Sequence, residues 1–188
     1  MTQANGLDWH WAKGSPSLKL IDFAFLKAFQ GLSYGHEDWF YPEQTRVRNA
    51  GLAAVGWYHF GQGAQSPTTQ ADLFLARCQP RPGEWLWLDW EWVPQPPGGN
   101  GVNMTTAQAA AWHQRVAQRF PNNPRGTYTS KNFLGGRSTR VVGEPRRNTL
   151  MPRHGLGCGH VRDPGPAERP LPIQPQPLSR KGLAPGEE

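Results

Sequence analysis

No aromatic residue follows Phe133: all nine Trp, eight Phe and four Tyr of this 188-residue chain lie at or before that position. A packed domain needs large apolar side chains to offset the entropy of ordering its backbone. Residues 136–188 lack them and crowd proline, glycine and arginine instead, with nine Lys/Arg against five Asp/Glu. Pro164, Pro166, Pro170, Pro172, Pro175 and Pro177 exclude helix and central strand there. The expected organisation is therefore a domain over residues 1–135 and a disordered Pro/Gly/Arg-rich tail over 136–188.

Other scarcities narrow the chemistry. The two cysteines, Cys78 and Cys158, fall one in each part, so no disulfide framework is implied. No run approaches transmembrane length, and membrane insertion is not expected. The segment from Met1 to Gly6 has no charged stretch followed by an apolar one, so no ordinary signal peptide is expected. Cytoplasmic synthesis, with action outside the cell only after export or lysis, follows from that reading. The net charge of +6 comes mainly from the tail, since the first 135 residues hold eleven Lys/Arg against nine Asp/Glu. No aromatics interleave with the arginines and no nucleic-acid motif is present, so a nucleic-acid partner is not expected. His36-Glu37 lacks the second histidine of a zinc helix motif; no metal is assigned and no cofactor is expected.

What is present is an alternation of short apolar runs with helical patterns. Candidate strands are Gly6-Leu7-Asp8, Ile21 to Lys27, Ala53 to Phe60, Trp85 to Trp92 and Gly126 to Thr129. Between them, Pro42 is expected to begin a helix that Gly51 ends. Ser66-Pro67 caps a second, with Ala71, Phe74, Leu75 and Cys78 as its apolar stripe, so Cys78 reads as a buried hydrophobe. Thr105-Thr106-Ala107-Gln108 is a capping box that opens a third, with Ala109, Trp112 and Val116 on one face and Phe120-Pro121 closing it. Strands separated by helices predict parallel β/α units.

The sharpest chemical pattern is Trp85-Leu86-Trp87-Leu88-Asp89-Trp90-Glu91-Trp92. Alternation along a strand turns Trp87, Asp89 and Glu91 one way and Leu86, Leu88 and Trp90 the other. In a parallel barrel the apolar set packs on helices, and the carboxylates face inward at the C-terminal end, where such enzymes keep their chemistry. Paired acids perturb each other so that one ionises while the other holds its proton, the division that glycoside hydrolysis uses. Tryptophans around them suit the C–H faces of sugars. A competing reading, the solvated side of an amphipathic strand, fits less well, because so many apolar flanks suit a sheet covered on both faces.

The motifs Gly6-Leu7-Asp8, Phe23 to Gly31, Ala50-Gly51-Leu52, Val55-Gly56-Trp57-Tyr58-His59-Phe60, Gln70-Ala71-Asp72, Leu88-Asp89-Trp90-Glu91 and Gly126-Thr127-Tyr128-Thr129-Ser130 occur in that order. As a set, over about the first 135 residues, they resemble the lysozymes of glycoside hydrolase family 25. That resemblance implies an α/β fold, an irregular (β/α) barrel of the TIM-barrel kind, and hydrolysis of β-1,4 bonds between N-acetylmuramic acid and N-acetylglucosamine in peptidoglycan without a metal. It implies catalytic roles for Asp8, Asp89 and Glu91: Asp8 in the acidic cleft, Asp89 stabilising positive charge and Glu91 as general acid. Tyr58 and Tyr128 match cleft hydroxyls, and Trp87 joins them as a candidate substrate contact. Asp8 could instead cap a turn and the tyrosines could be core, while His59 reads as a packed histidine. The implied partner is the peptidoglycan glycan strand, met by a monomer.

Three departures from the family pattern stand out. Lys27-Ala28-Phe29-Gln30-Gly31 has Gln30 where a carboxylate is usual. Trp9-His10-Trp11-Ala12 replaces the Ser and Gln expected soon after Asp8. Nothing after Gly135 resembles the family's final strands, so the barrel is expected to be incomplete after the fifth strand. The alternative function is a catalytically inactive remnant that at most binds cell-wall glycan. Limited proteolysis is expected to trim the chain to about residue 135 and then pause, as a tail without a core would; a resistant fragment spanning Leu150 to Leu183 would contradict this.

Overall fold

The computed structural model describes residues 4–134; the expected tail, with Cys158, lies outside the described residues. Five strands alternate with helices: β1 (Gly6–Trp9), β2 (Phe23–Gln30), α1 (Glu37–Arg48), β3 (Ala54–Phe60), α2 (Pro67–Cys78), β4 (Trp85–Asp89), α3 (Thr106–Arg119), β5 (Arg125–Tyr128) and α4 (Lys131–Leu134), with a 3-10 turn at Trp11–Lys13. All strand pairs are parallel and the sheet order is the chain order, β1-β2-β3-β4-β5. The fold is thus mixed α/β on a five-stranded parallel sheet.

Burial on one face of the sheet drives the arrangement. Leu26, Trp57, His59, Leu86, Leu88 and Trp90 point to the helix side and meet Phe74 and Cys78 of α2 and Ala109, Trp112 and Val116 of α3 in the core. Both helices start where their caps predict. Ser66 Oγ accepts from Thr69 N–H, and Thr105 and Gln108 satisfy each other's backbone N–H groups in a full capping box. His59 is fully buried there, stacked on Trp112 with ring centroids 5.9 Å apart and bonded to Gln70 Oε1 at 3.0 Å. Burial lowers its pKa to about 4, which keeps it a neutral packed residue. Among the described residues no helix is long and apolar enough to cross a membrane.

Several boundaries differ from expectation. Helix α1 begins at Glu37, so Pro42 lies inside it. Glu37 and Asp38 in the first turn complement the helix dipole, and Pro42 is solvent-exposed, where a carbonyl that loses its helical donor can turn to water. The helix ends at Arg48 with Asn49 as cap, and Gly51, at φ 68°, serves the following turn instead of ending the helix. Strand β2 starts at Phe23 and continues past Lys27 through a register irregularity to Gln30. Strand β5 ends at Tyr128, so Thr129 lies just beyond it. Strand β4 stops at Asp89; Trp90 N–H still reaches Tyr128 O at 2.9 Å, but Glu91 lies in a bend. The backbone turns away because Trp90 Nε1–H is anchored on Met104 O at 2.8 Å and Val93 N–H on Asn103 Oδ1 at 2.7 Å.

The N-terminal end of the sheet is held by a buried ion pair. Glu84, just before β4, accepts from Arg48 Nε at 2.7 Å, Trp57 Nε1 at 2.7 Å and Arg81 N–H at 2.9 Å. Burial would raise this carboxyl, but those donors and the Arg48 charge outweigh it and hold the pKa below its ordinary value. Its stabilisation is therefore full above the unfolded carboxylate pKa of about 4.3 and is lost as pH falls through the lower folded value. Glu84→Ala strands Arg48 in the interior and is expected to cost ~3–5 kcal/mol of stability at neutral pH. Urea unfolding checks this, and the deficit should shrink as the pH is lowered below about 4.

Candidate active site

Two layers of side chains cross the other face of the sheet at its C-terminal end. Register aligns Lys27, Tyr58, Trp87 and Gly126 across β2 to β5, and above them Gln30, Phe60, Asp89 and Tyr128. Asp8 joins from β1 opposite Phe25. The lower layer is closed at Trp87. Trp87 is only 5% exposed, with Phe25 edge-on at 5.6 Å, and a Cβ on Gly126 would collide with its ring. Trp87 is thus the floor beneath the carboxylates. Tyr128 is 48% exposed at the rim.

Charge accumulates above that floor. Asp89 is half-buried, and its pKa is pushed up to about 8 by burial first and then by the neighbouring Glu91 and Asp8 charges, against the pull of Lys27. Its Oδ1 has no hydrogen-bond partner among the described residues. Glu91 is also raised, by burial and then by Asp8. Asp8 keeps solvent contact along the cleft, yet the surrounding walls still raise its carboxyl, with the Tyr58 hydroxyl bond and Lys27 opposing. Tyr58 is driven far above the usual phenol range by burial and the adjacent acids, so it stays a neutral donor to Asp8.

Lys27 is the counter-charge. Burial lowers its pKa, while Asp89 and Asp8 favour its charged form. Its ammonium donates to Gln30 Oε1 at 2.6 Å and lies over the rings of Tyr34 at 5.1 Å and Phe60 at 4.8 Å. Gln30 Nε2–H in turn donates to Gly98 O at 2.8 Å, tying the end of β2 to the loop that follows Glu91. Sequence reasoning gave Lys27 no role and noted Gln30 only as standing where the family usually has a carboxylate. Counting alternate positions on from Phe23 and Phe25 places Lys27 on the cleft face; Gln30 reaches it only through the irregularity after Lys27. The expected residues Asp8, Tyr58, Asp89, Glu91 and Tyr128 gather at this end of the sheet, but strand alternation does not place Glu91, because the strand has ended.

A family model described as glycosyl hydrolases family 25 matches residues 5–144 of the chain. The chain belongs to glycosyl hydrolase family 25. Family 25 makes it a glycoside hydrolase of the lysozyme type. Among solved structures it is similar to the bacterial lysozyme of Streptomyces coelicolor, at 27% identity and a TM-score of 0.56 over 72% of this chain and 67% of that one. A muramidase from Acremonium alcalophilum (20%, TM-score 0.54, 70% and 68% covered) and a family 25 glycosyl hydrolase from Bacillus anthracis (17%, TM-score 0.55, 71% and 63% covered) share the fold. No curated protein sequence matches the chain.

Within this family 25 cleft, Asp89 is held against its own ionisation. A carboxyl whose folded pKa exceeds its unfolded one destabilises the fold increasingly as pH rises from the unfolded value, about 3.9, to the folded one. Asp89→Asn removes that cost. The variant is expected to match the parent near pH 4 and to be more stable than it at pH 8 and above, by at least ~1 kcal/mol. Denaturant unfolding across that range measures the difference.

Proposed function

We propose that this chain is a muramidase that hydrolyses the β-1,4 bond between N-acetylmuramic acid and N-acetylglucosamine in peptidoglycan, with Glu91 as general acid and Asp89 as the charge-stabilising carboxylate. The supporting observation is the assembly of Asp8, Asp89 and Glu91 at the C-terminal end of a parallel sheet, with Lys27 acting on Asp8 and Asp89 and every one of the three acids raised. That is also the end at which (β/α)-barrel enzymes keep their catalytic groups. We read the five strands as part of an irregular barrel of that kind, since each of β2 to β4 is followed by a helix and the sheet divides into a helix-packed face and an inner face.

Asp89 and Glu91 interact, so one proton can pass between them, and the reactive form of the pair is the one that carries it on Glu91. Glu91 lies in the bend beyond the strand, on the open side of the cleft, where a glycosidic oxygen can approach. In the proposed step the bond from the anomeric carbon to the leaving oxygen breaks. Its electrons stay on that oxygen, which takes the proton from Glu91. Asp89, left ionised, faces the positive charge that develops on the sugar, or orients the substrate's acetamido group. Water then adds to the anomeric carbon and returns a proton to Glu91. Tyr58 holds Asp8 by its hydroxyl, and Tyr128 is placed to meet the sugar at the rim. The alternative of an inert glycan-binding remnant is not better supported by any of these observations.

Glu91→Gln and Asp89→Asn are each expected to lower reducing-end release from peptidoglycan by at least ~100-fold while leaving the chain folded. A Glu91→Gln variant that keeps most of the parent rate would remove Glu91 from the acid role. Activity should also fall as the pH rises through about 8, where the pair loses its shared proton.

A further inference from the structure

Four of the nine tryptophans, Trp9, Trp57, Trp90 and Trp112, show almost no surface, whereas Trp92 and Trp11 are exposed. Trp11 is 46% exposed, on the 3-10 turn just beyond the C-terminal end of β1 and three positions after Asp8. It is not a loose side chain. Its ring stacks on that of His36 with centroids 4.2 Å apart and planes 15° apart. His36 holds that pose from a left-handed backbone conformation, φ 73° and ψ 27°, at the start of α1. A non-glycine residue rarely adopts that conformation, and such strain concentrates where a surface is shaped for a ligand. Tyr34 meets the same His36 ring in a T-shaped contact at 5.0 Å, and the Lys27 ammonium lies over Tyr34. The aromatic strip therefore runs without interruption from the counter-charge of the carboxylates out to Trp11.

We infer that the Trp11–His36 stack is an outer subsite that takes a pyranose ring of the glycan strand beyond the rings held over Asp8, Asp89 and Glu91. This rests on the muramidase reading and extends it. A flat, rigid, half-exposed ring presents its face to the C–H side of a sugar at little entropic cost, as aromatic anchors do in other interfaces. The neighbouring acids and Lys27 meet the polar groups of the inner rings. The occupant is a continuous strand, so the subsite contributes only when the ligand is long enough to reach it.

The test is calorimetric binding of β-1,4-linked N-acetylglucosamine oligomers, a dimer and a pentamer, to the full chain. Asp89→Asn and Trp11→Ala variants are measured beside it, with thermal unfolding of each. Trp11→Ala is expected to weaken the pentamer by about tenfold, leave the dimer unchanged, and be restored in large part by Trp11→Tyr. His36→Ala, which removes the ring beneath Trp11, is expected to show the same dependence on length and guards against a Trp11 variant that fails to fold. Equal pentamer affinity in the parent, Trp11→Ala and His36→Ala, with only a lowered melting temperature, would make the stack a structural pin and overturn the subsite. Failure of the parent to bind either oligomer would overturn the glycan reading along with it.

Discussion

Three carboxyl groups and one ammonium share the C-terminal end of the sheet, and Lys27 is what allows that crowding. Bringing Asp8, Asp89 and Glu91 together in a partly dehydrated cleft would suppress their ionisation if nothing opposed their mutual repulsion. Lys27 lowers the pKa of both Asp8 and Asp89, and those acids in turn keep the lysine charged against its own burial. The balance is incomplete by design of the geometry. Burial and the charges of Glu91 and Asp8 outweigh Lys27 at Asp89, so its pKa stays raised and the cleft retains a proton that can be transferred.

The rest of the domain supplies the fixed positions for those charges. Trp87, seated on Gly126 and Phe25, closes the floor below Asp89 and excludes water from that side. The Glu84–Arg48 pair holds the opposite end of the same strand, where its charges are fully matched. One strand thus carries an ion pair that favours folding at its start and a carboxyl that opposes folding at its end. The stable end anchors what the functional end strains. Gln30 ties the end of β2 to the loop after Glu91. As an amide it can accept from Lys27 and donate to Gly98 O at once; a carboxylate at this position has no proton with which to hold the loop.

Much of this was legible in the sequence, for identifiable reasons. The caps at Ser66 and Thr105 act within one helical turn, so local pattern suffices to read them. The division of β4 into a helix-facing set and a cleft-facing set followed from period-two alternation. The start of α1 was misread at Pro42 because a proline is tolerated wherever its missing N–H bond can be replaced by water, which local sequence does not reveal. The end of β4 was misread because Trp90 and Val93 are anchored by Met104 and Asn103, residues of a later loop. Lys27 escaped notice for a related reason. A charged residue near the end of an apolar strand reads as a boundary unless its partners on β1 and β4 are already known. Asp8 and Tyr58 were found through family resemblance; their bond joins strands that are far apart in sequence.

The central claim is that Asp89 retains a proton near neutral pH because burial and its acidic neighbours outweigh Lys27. Carbon-13 NMR of the aspartate and glutamate carboxyls, titrated in the full chain and in Lys27→Met, tests it most directly. The account predicts an Asp89 midpoint near 8 in the parent and a higher one in Lys27→Met, with Glu91 moving as its coupled partner. An Asp89 carboxyl that titrates near 4 in the parent, or that is indifferent to the loss of Lys27, would contradict it.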